Sequence, residues 1–173
     1  MARNVEIKAR LSDLAATLER VREMADRGPV EIEQDDTFFN CDNGRLKLRQ
    51  ISPNEGSLIF YRRVNQIGPK ESFFVHSATA TPDSLREVLS LAYGEGGRVI
   101  KHRTLFHIGR TRIHIDRVQG LGSFLELEVM LSDGELIEAG VIEAEKIMEN
   151  IGVIAAQLID KGYVDLLIEA QKT

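Results

Sequence analysis

A single cysteine, Cys41, stands in the 173 residues, so the chain can form no internal disulfide. A lone thiol is also a thin basis for a nucleophile, and Cys41 reads as a buried or strand-end filler. No apolar run approaches the ~18 residues that span a bilayer. No basic-then-apolar leader precedes the first strand. These absences point to a reducing, cytoplasmic setting with no membrane partner. Basic charge is not in excess: the net charge is -5, which argues against a nucleic-acid partner. Linkers, low-complexity tracts and repeats of solenoid length are missing too, so residues 1–173 are expected to form a single domain. Gly94, Gly96 and Gly97 lack the lysine and following helix of a phosphate-binding P-loop, and read as a flexible turn.

What is present is alternation. From Arg3 to Leu11, apolar Val5, Ile7, Ala9 and Leu11 interleave with polar Asn4, Glu6, Lys8 and Arg10, the period of a β-strand. Seven further strands are expected at 30–41, 45–49, 58–64, 70–76, 98–108, 111–118 and 123–131. Turn signals separate several of them, at Asp42-Asn43-Gly44, Pro53-Asn54-Glu55-Gly56 and Gly120-Leu121-Gly122. Helical spacing of apolar residues predicts a helix over 12–27, capped by Ser12 and ended by Gly28-Pro29. A second opens at Thr81-Pro82, and a third covers 134–151. A helical tail over 155–170 is interrupted at Gly162.

Eight strands with short connections favour an antiparallel arrangement, and eight can close around one small ligand. The expected fold is α+β: an eight-stranded antiparallel barrel with helices packed outside. The apolar strand faces would bury outward against the helices, and the charged faces would line the lumen. A sandwich would instead turn the charges to solvent and scatter their signs.

The signs are grouped. Bases dominate the third, fourth and sixth strands: Arg45, Lys47 and Arg49; Arg62 or Arg63 according to register; Lys101 and Arg103. Acids sit on the first, seventh and eighth: Glu6, Asp116, Glu126 and Glu128, with Lys8, Arg112 and His114 beside them. Arg grips phosphate oxygens through forked hydrogen bonds and Lys as a point charge. That many enclosed cations require an anion or water, so a polyphosphate fits. Glu126 and Glu128 lie roughly 6.6 Å apart on one strand face, able to lean on one Mg²⁺ or, alternatively, to pair with the lumen bases, and Asp116 and Glu6 could complete a metal site. His114 could orient Asp116 or touch substrate. Lys161 lies in a tail that could cover one mouth of the barrel, where it could reach a phosphate or stay solvated. Phe38, Phe74 or Phe106 could stack an organic ring or belong to the core.

Taken in order, these residues resemble the CYTH superfamily, the triphosphate tunnel metalloenzymes. The resemblance rests on Asn4, Glu6 and Lys8 against the family's opening Glu-x-Glu-x-Lys, then on Arg45-Leu46-Lys47-Leu48-Arg49, Lys101-His102-Arg103, His114-Ile115-Asp116, Phe124-Leu125-Glu126-Leu127-Glu128 and Gly162-Tyr163-Val164-Asp165-Leu166-Leu167. Gly120-Leu121-Gly122-Ser123-Phe124 before the acidic strand is most similar to the class IV adenylyl cyclase branch. The chain departs from the signature at Asn4, which carries no charge. The resemblance implies an enzyme using Mg²⁺ or Mn²⁺ on a small-molecule triphosphate, and suggests a homodimer. Glu6, Asp116, Glu126 and Glu128 would hold metal. Lys8, Arg45, Lys47, Arg49, Arg63, Lys101, Arg103, Arg112 and His114 would hold substrate. Glu6, Lys8, Lys101, Arg103 and Asp116 are the candidate catalytic groups. A cyclase would convert ATP to cyclic AMP and pyrophosphate. A triphosphatase would hydrolyse thiamine triphosphate, tripolyphosphate or a nucleoside triphosphate. A third alternative is a non-catalytic polyphosphate binder.

Overall fold

The computed structural model describes residues 2–172. Its eight strands are β1 (Ala2–Leu11), β2 (Arg27–Phe39), β3 (Arg45–Ser52), β4 (Glu55–Arg63), β5 (Lys70–Thr79), β6 (Glu95–Ile108), β7 (Thr111–Val118) and β8 (Gly122–Met130). They form a closed barrel in the order β1-β5-β4-β3-β2-β6-β7-β8. Every neighbouring pair is antiparallel, and β8 returns to β1 along the register Asn4–Met130 to Leu11–Ser123. Closure leaves no open sheet edge.

Four helices lie outside: α1 (Leu14–Met24), α2 (Pro82–Tyr93), α3 (Ile137–Ile151) and α4 (Tyr163–Gln171), with a short 3-10 turn at Ala155–Gln157. The alternation of β1 explains where α1 and α3 go. Val5, Ile7, Ala9 and Leu11 face outward and join Ile113, Ile115, Leu125, Leu127 and Val129 of β7 and β8. Val21 of α1 and Ala144, Ile147 and Ile151 of α3 close over them. At about 1.5–3 kcal/mol per fully buried Val, Leu or Ile, this layer between barrel and helices supplies the main hydrophobic stabilisation. The lumen is left free for polar groups. Leu85 and Leu89 of α2 do the same for Phe39, Leu46, Leu48 and Leu58. α4 is different, because it packs at the end of the barrel. Its Tyr163 and Val164 join Phe38, Val99, Val118 and Phe124 and shut one mouth.

The strands run longer than the pattern suggested. β2 starts at Arg27, so Gly28-Pro29 lies inside a strand and does not terminate a helix. The ladder to β6 tolerates the proline because its register shifts between Arg27 and Val30. Cys41 falls just beyond β2 and is only partly buried. α1 is capped by the carboxylate of Asp13, which accepts from the Ala16 N–H at 3.0 Å, and not by Ser12. The Gly94–Gly97 turn is largely strand: β6 begins at Glu95, and Gly97 pairs with Phe38. A side chain at Gly97 would meet Val164 Cγ2 at 2.5 Å, so α4 can dock only because this residue is glycine.

Candidate active site in the barrel lumen

The inward faces enclose a cavity of about 240 Å³. Alternate residues of each strand reach it: Glu6 and Lys8 from β1, Asp36 and Phe38 from β2, Lys47 and Arg49 from β3, Tyr61 and Arg63 from β4, Ser72 and Phe74 from β5, Lys101 and Arg103 from β6, Arg112 and His114 from β7, and Glu126 and Glu128 from β8. The period of two that sends the leucines to the helices sends these groups inward. Gly162, Tyr163 and Val164 form the floor at the α4 end.

The cationic wall is organised by an acid, Asp36, which is 1% exposed. Arg49 grips both of its oxygens at 2.8 and 2.7 Å, and Lys101 and Lys47 approach at 3.1 and 3.3 Å. Against burial, which alone would raise it, Arg49, Lys101 and Lys47 hold the Asp36 carboxyl well below the usual range. The lysines pay for this crowding. Burial, with repulsion from Arg49 and Arg103, brings Lys101 down to about 7 despite the attraction of Asp36. Burial and Arg49 bring Lys47 down to about 8.

The opposite pole is built on β1, β7 and β8. Register places Glu6 beside Glu128 and Lys8 beside Glu126, and His114 beside Glu126 and Arg112 beside Glu128. Arg103 and Lys8 approach Glu126 at 3.3 and 3.9 Å, and against burial they hold its carboxyl well below the usual range. Burial and the charge of Glu126 raise Glu6, whose Oε1 accepts from Arg63 at 3.2 Å. Burial and Arg103 push His114 down to about 4, so its imidazole is neutral at neutral pH. Among the described residues, its buried Nδ1 has no hydrogen-bond partner.

One imidazole nitrogen of His114 and one carboxylate oxygen each of Glu126 and Glu128 lie within 4.8 Å of one another. Two carboxylates and an unprotonated imidazole suit a divalent cation with positions left for substrate oxygens. Glu6 flanks this group. Asp116 does not join it. Arg103 takes both Asp116 oxygens at 2.7 Å, and the Tyr163 hydroxyl donates to one of them at 2.7 Å. Against burial, Arg103 brings the Asp116 carboxyl down to about 2. Asp116 fixes the Arg103 guanidinium, whose Nη2 also donates to Glu126 at 3.3 Å, so one nitrogen of Arg103 stands between Asp116 and the acidic pole.

Other expected groups are dispersed. Arg63, not Arg62, lines the lumen; Arg62 is exposed and donates to the Asn43 carbonyl. Arg45 sits at the rim, where Asp165 of α4 accepts from it at 2.9 and 2.8 Å. Arg10 donates to the Leu121 carbonyl and lies 4.9 Å from the Phe124 ring. Lys161 pairs with Glu169 on the surface. Phe106 is buried in the outer core, while Phe38 and Phe74 line the cavity. Arg112 pairs with Glu128 at 2.5 Å. Asn4 is buried in the lumen wall, and its Oδ1 is without a partner among the described residues.

Sequence pattern missed Asp36, Gln34, Ser72, His76 and Tyr163 as lumen groups. For β2 the signal existed: counting back by twos from Phe38 gives Asp36, Gln34 and Ile32. It was masked because β2 carries acids on both faces, Asp35 and Asp36 in succession. Tyr163 falls in the Gly162–Leu167 motif of the resemblance, but its pairing with Asp116 is set by tertiary packing that periodicity does not show.

The family model of the CYTH domain matches residues 2–163. A curated relative, an adenylate cyclase of Aeromonas hydrophila, is 23% identical over 167 residues, covering 92% of this chain and 85% of its own. A Pyrococcus horikoshii protein superposes with a TM-score of 0.84 at 20% identity, over 94% of this chain and 98% of that one. A Hippeastrum protein, whose structure is described as revealing a dominant triphosphatase activity, superposes with a TM-score of 0.67 at 15% identity, over 98% and 96% of the two chains.

Proposed function

This chain belongs to the CYTH domain family, and on that premise we propose that it is a divalent-metal-dependent enzyme that draws a triphosphate into the barrel lumen, most simply as an adenylyl cyclase converting ATP to cyclic AMP and pyrophosphate. The observation that carries this reading is the pairing, in one cavity, of a wall of cations with the His114–Glu126–Glu128 group. A wall of cations alone would bind phosphate; the second group supplies what phosphoryl chemistry adds.

Lys8, Lys47, Arg49, Arg63, Lys101 and Arg103 grip successive phosphate oxygens, and the Arg side chains fix direction through their forks. Asp36 and Asp116 hold four of these cations at set positions before substrate arrives, so little reorganisation remains for the reaction itself. Glu126, Glu128 and His114, with Glu6 adjacent, would hold Mg²⁺ or Mn²⁺. When bound, the ion acidifies an attacking hydroxyl or water and offsets phosphate charge. α4 closes one end, so the triphosphate enters from the other and water is restricted at the floor.

The Hippeastrum relative supports a second reading, hydrolysis of the terminal phosphate on the same scaffold. The two reactions differ in which phosphorus faces the nucleophile, and the products separate them. Purified protein with Mn²⁺ or Mg²⁺ and ATP is expected to yield cyclic AMP and pyrophosphate, lost in Glu126→Gln. Orthophosphate from ATP, thiamine triphosphate or tripolyphosphate, without cyclic nucleotide, would make it a triphosphatase. Unchanged ligand in every case would refute an enzymatic role.

A further inference from the structure

The lumen changes character at the mouth opposite α4. Ile32 of β2, Phe74 of β5 and Leu105 of β6 line the cavity, and register carries them away from α4, with Phe74 beside Ala2 and Leu105 beside Val30. Ile32, Phe74 and Leu105 remain partly open to solvent, and Phe74 is braced by the His76 ring at 5.2 Å. A bare triphosphate gives these side chains nothing to contact. Inward-facing apolar groups at the mouth of a charged channel are favourable only when an apolar surface covers them.

Gln34 lies one step deeper in the cavity. It follows Ile32 on the inward face of β2, pairs in register with Lys101, and is 6% exposed. Among the described residues its Oε1 has no hydrogen-bond partner. A buried amide acceptor without a donor is destabilising, and a bound N–H group would relieve it. β2 and β5 are separated by β3 and β4 around the barrel, so Gln34 and Phe74 address the cavity from different walls. Apolar walls for the faces of a ring and an amide for its edge are the elements of recognition for a flat heterocycle.

We propose that Gln34 is a specificity-determining residue that reads the edge of an amino-substituted ring on the organic end of the triphosphate, with Ile32, Phe74 and Leu105 packing against the ring. The inference rests on the triphosphate reading of the lumen. An exocyclic amine beside a ring nitrogen, as in adenine, offers a donor and an acceptor to the glutamine amide, the pairing that Gln makes with adenine elsewhere. A ring with a carbonyl in place of the amine sets an acceptor against the sealed Oε1.

The test compares ATP, ITP and tripolyphosphate: on the N6/N7 edge that glutamine reads, ITP keeps the ring nitrogen N7 and replaces the amine by a carbonyl, while its added N1 proton lies on the other side of that carbonyl. Dissociation constants are measured by isothermal titration calorimetry in metal-free buffer, where turnover is suppressed. Native protein is expected to bind ATP about tenfold or more tightly than ITP. Gln34→Leu should bring the two together while leaving tripolyphosphate unchanged. Phe74→Ala should weaken both nucleotides and spare tripolyphosphate. Equal ATP and ITP affinity in native protein, with tripolyphosphate still bound, would overturn the ring-reading role alone. Failure of all three ligands to bind would overturn the lumen reading on which it stands.

Discussion

Asp36 is the residue on which the cationic wall turns. It has one charge and three cationic partners, so the wall keeps a surplus of positive charge for an incoming anion. Removing the acid leaves Arg49, Lys47 and Lys101 buried without a counter-charge, a change that costs about 3–5 kcal/mol. Asp36→Asn is therefore expected to lower stability by that order in urea denaturation, and tripolyphosphate should restore more stability to the variant than it adds to the native protein. A loss below about 0.5 kcal/mol, the range of ordinary surface changes, would contradict the role assigned to Asp36. Lys101 gives a second prediction at this scale. Burial has brought it down to about 7, so in the ligand-free protein it is largely neutral at pH 8. A polyanion favours the charged form, and binding must then take up a proton. The sign follows: the contribution of Lys101 to affinity is full below pH 7 and fades as pH rises through that value. Calorimetry at pH 8 in buffers of different ionisation enthalpy should find more protons taken up by native protein than by Lys101→Gln, with the ligand's own titration cancelling in the difference. Equal uptake by the two would contradict this.

Among the elements, α4 depends most on a single distant residue. Its first turn supplies the Tyr163 hydroxyl to Asp116 and the Asp165 carboxylate to Arg45, and its docking requires the bare backbone of Gly97, where φ is +145°. Gly97→Ala would put Cβ against Val164 and strain the backbone. A loss of about 1–3 kcal/mol is expected, as for overpacked cores, with faster amide hydrogen exchange over 163–171 and little change over β1 and β8. Uniform exchange change across the barrel would contradict a local docking role. How much could be read beforehand also divides by element. β1, β3, β7 and β8 were legible because one face is apolar and the other charged, so period and facing come together. β2 and β6 were legible as strands but not in extent, since Gly28-Pro29 and the Gly94–Gly97 run carry turn chemistry that neighbouring strands override. A tail covering one mouth was legible as a possibility, but helical periodicity says which face is apolar and not which end of a barrel it meets or which residues it touches there.

For the whole molecule, the arrangement inverts the common one. Hydrophobic stabilisation lies between barrel and helices, and the interior holds ionised groups. The net charge of -5 conceals this, since global charge averages an acidic exterior with a basic channel. The candidate phosphate residues were legible from grouped signs on alternating strands, whereas the pairing of Asp116 with Arg103 was not, because facing does not tell which partner an inward acid selects. The proposed function requires that cation wall and acidic pole serve one ligand together. The most direct test of that requirement is calorimetric binding of an ATP analogue with methylene bridges at both the α,β and the β,γ positions, which neither reaction can cleave, with and without Mn²⁺, to native protein and to Glu126→Gln. Binding is expected without metal, with a gain of about tenfold or more with Mn²⁺, comparable to one or two charge-assisted contacts, and loss of that gain in Glu126→Gln. Binding that ignores Mn²⁺, or a gain that survives the substitution, would contradict it.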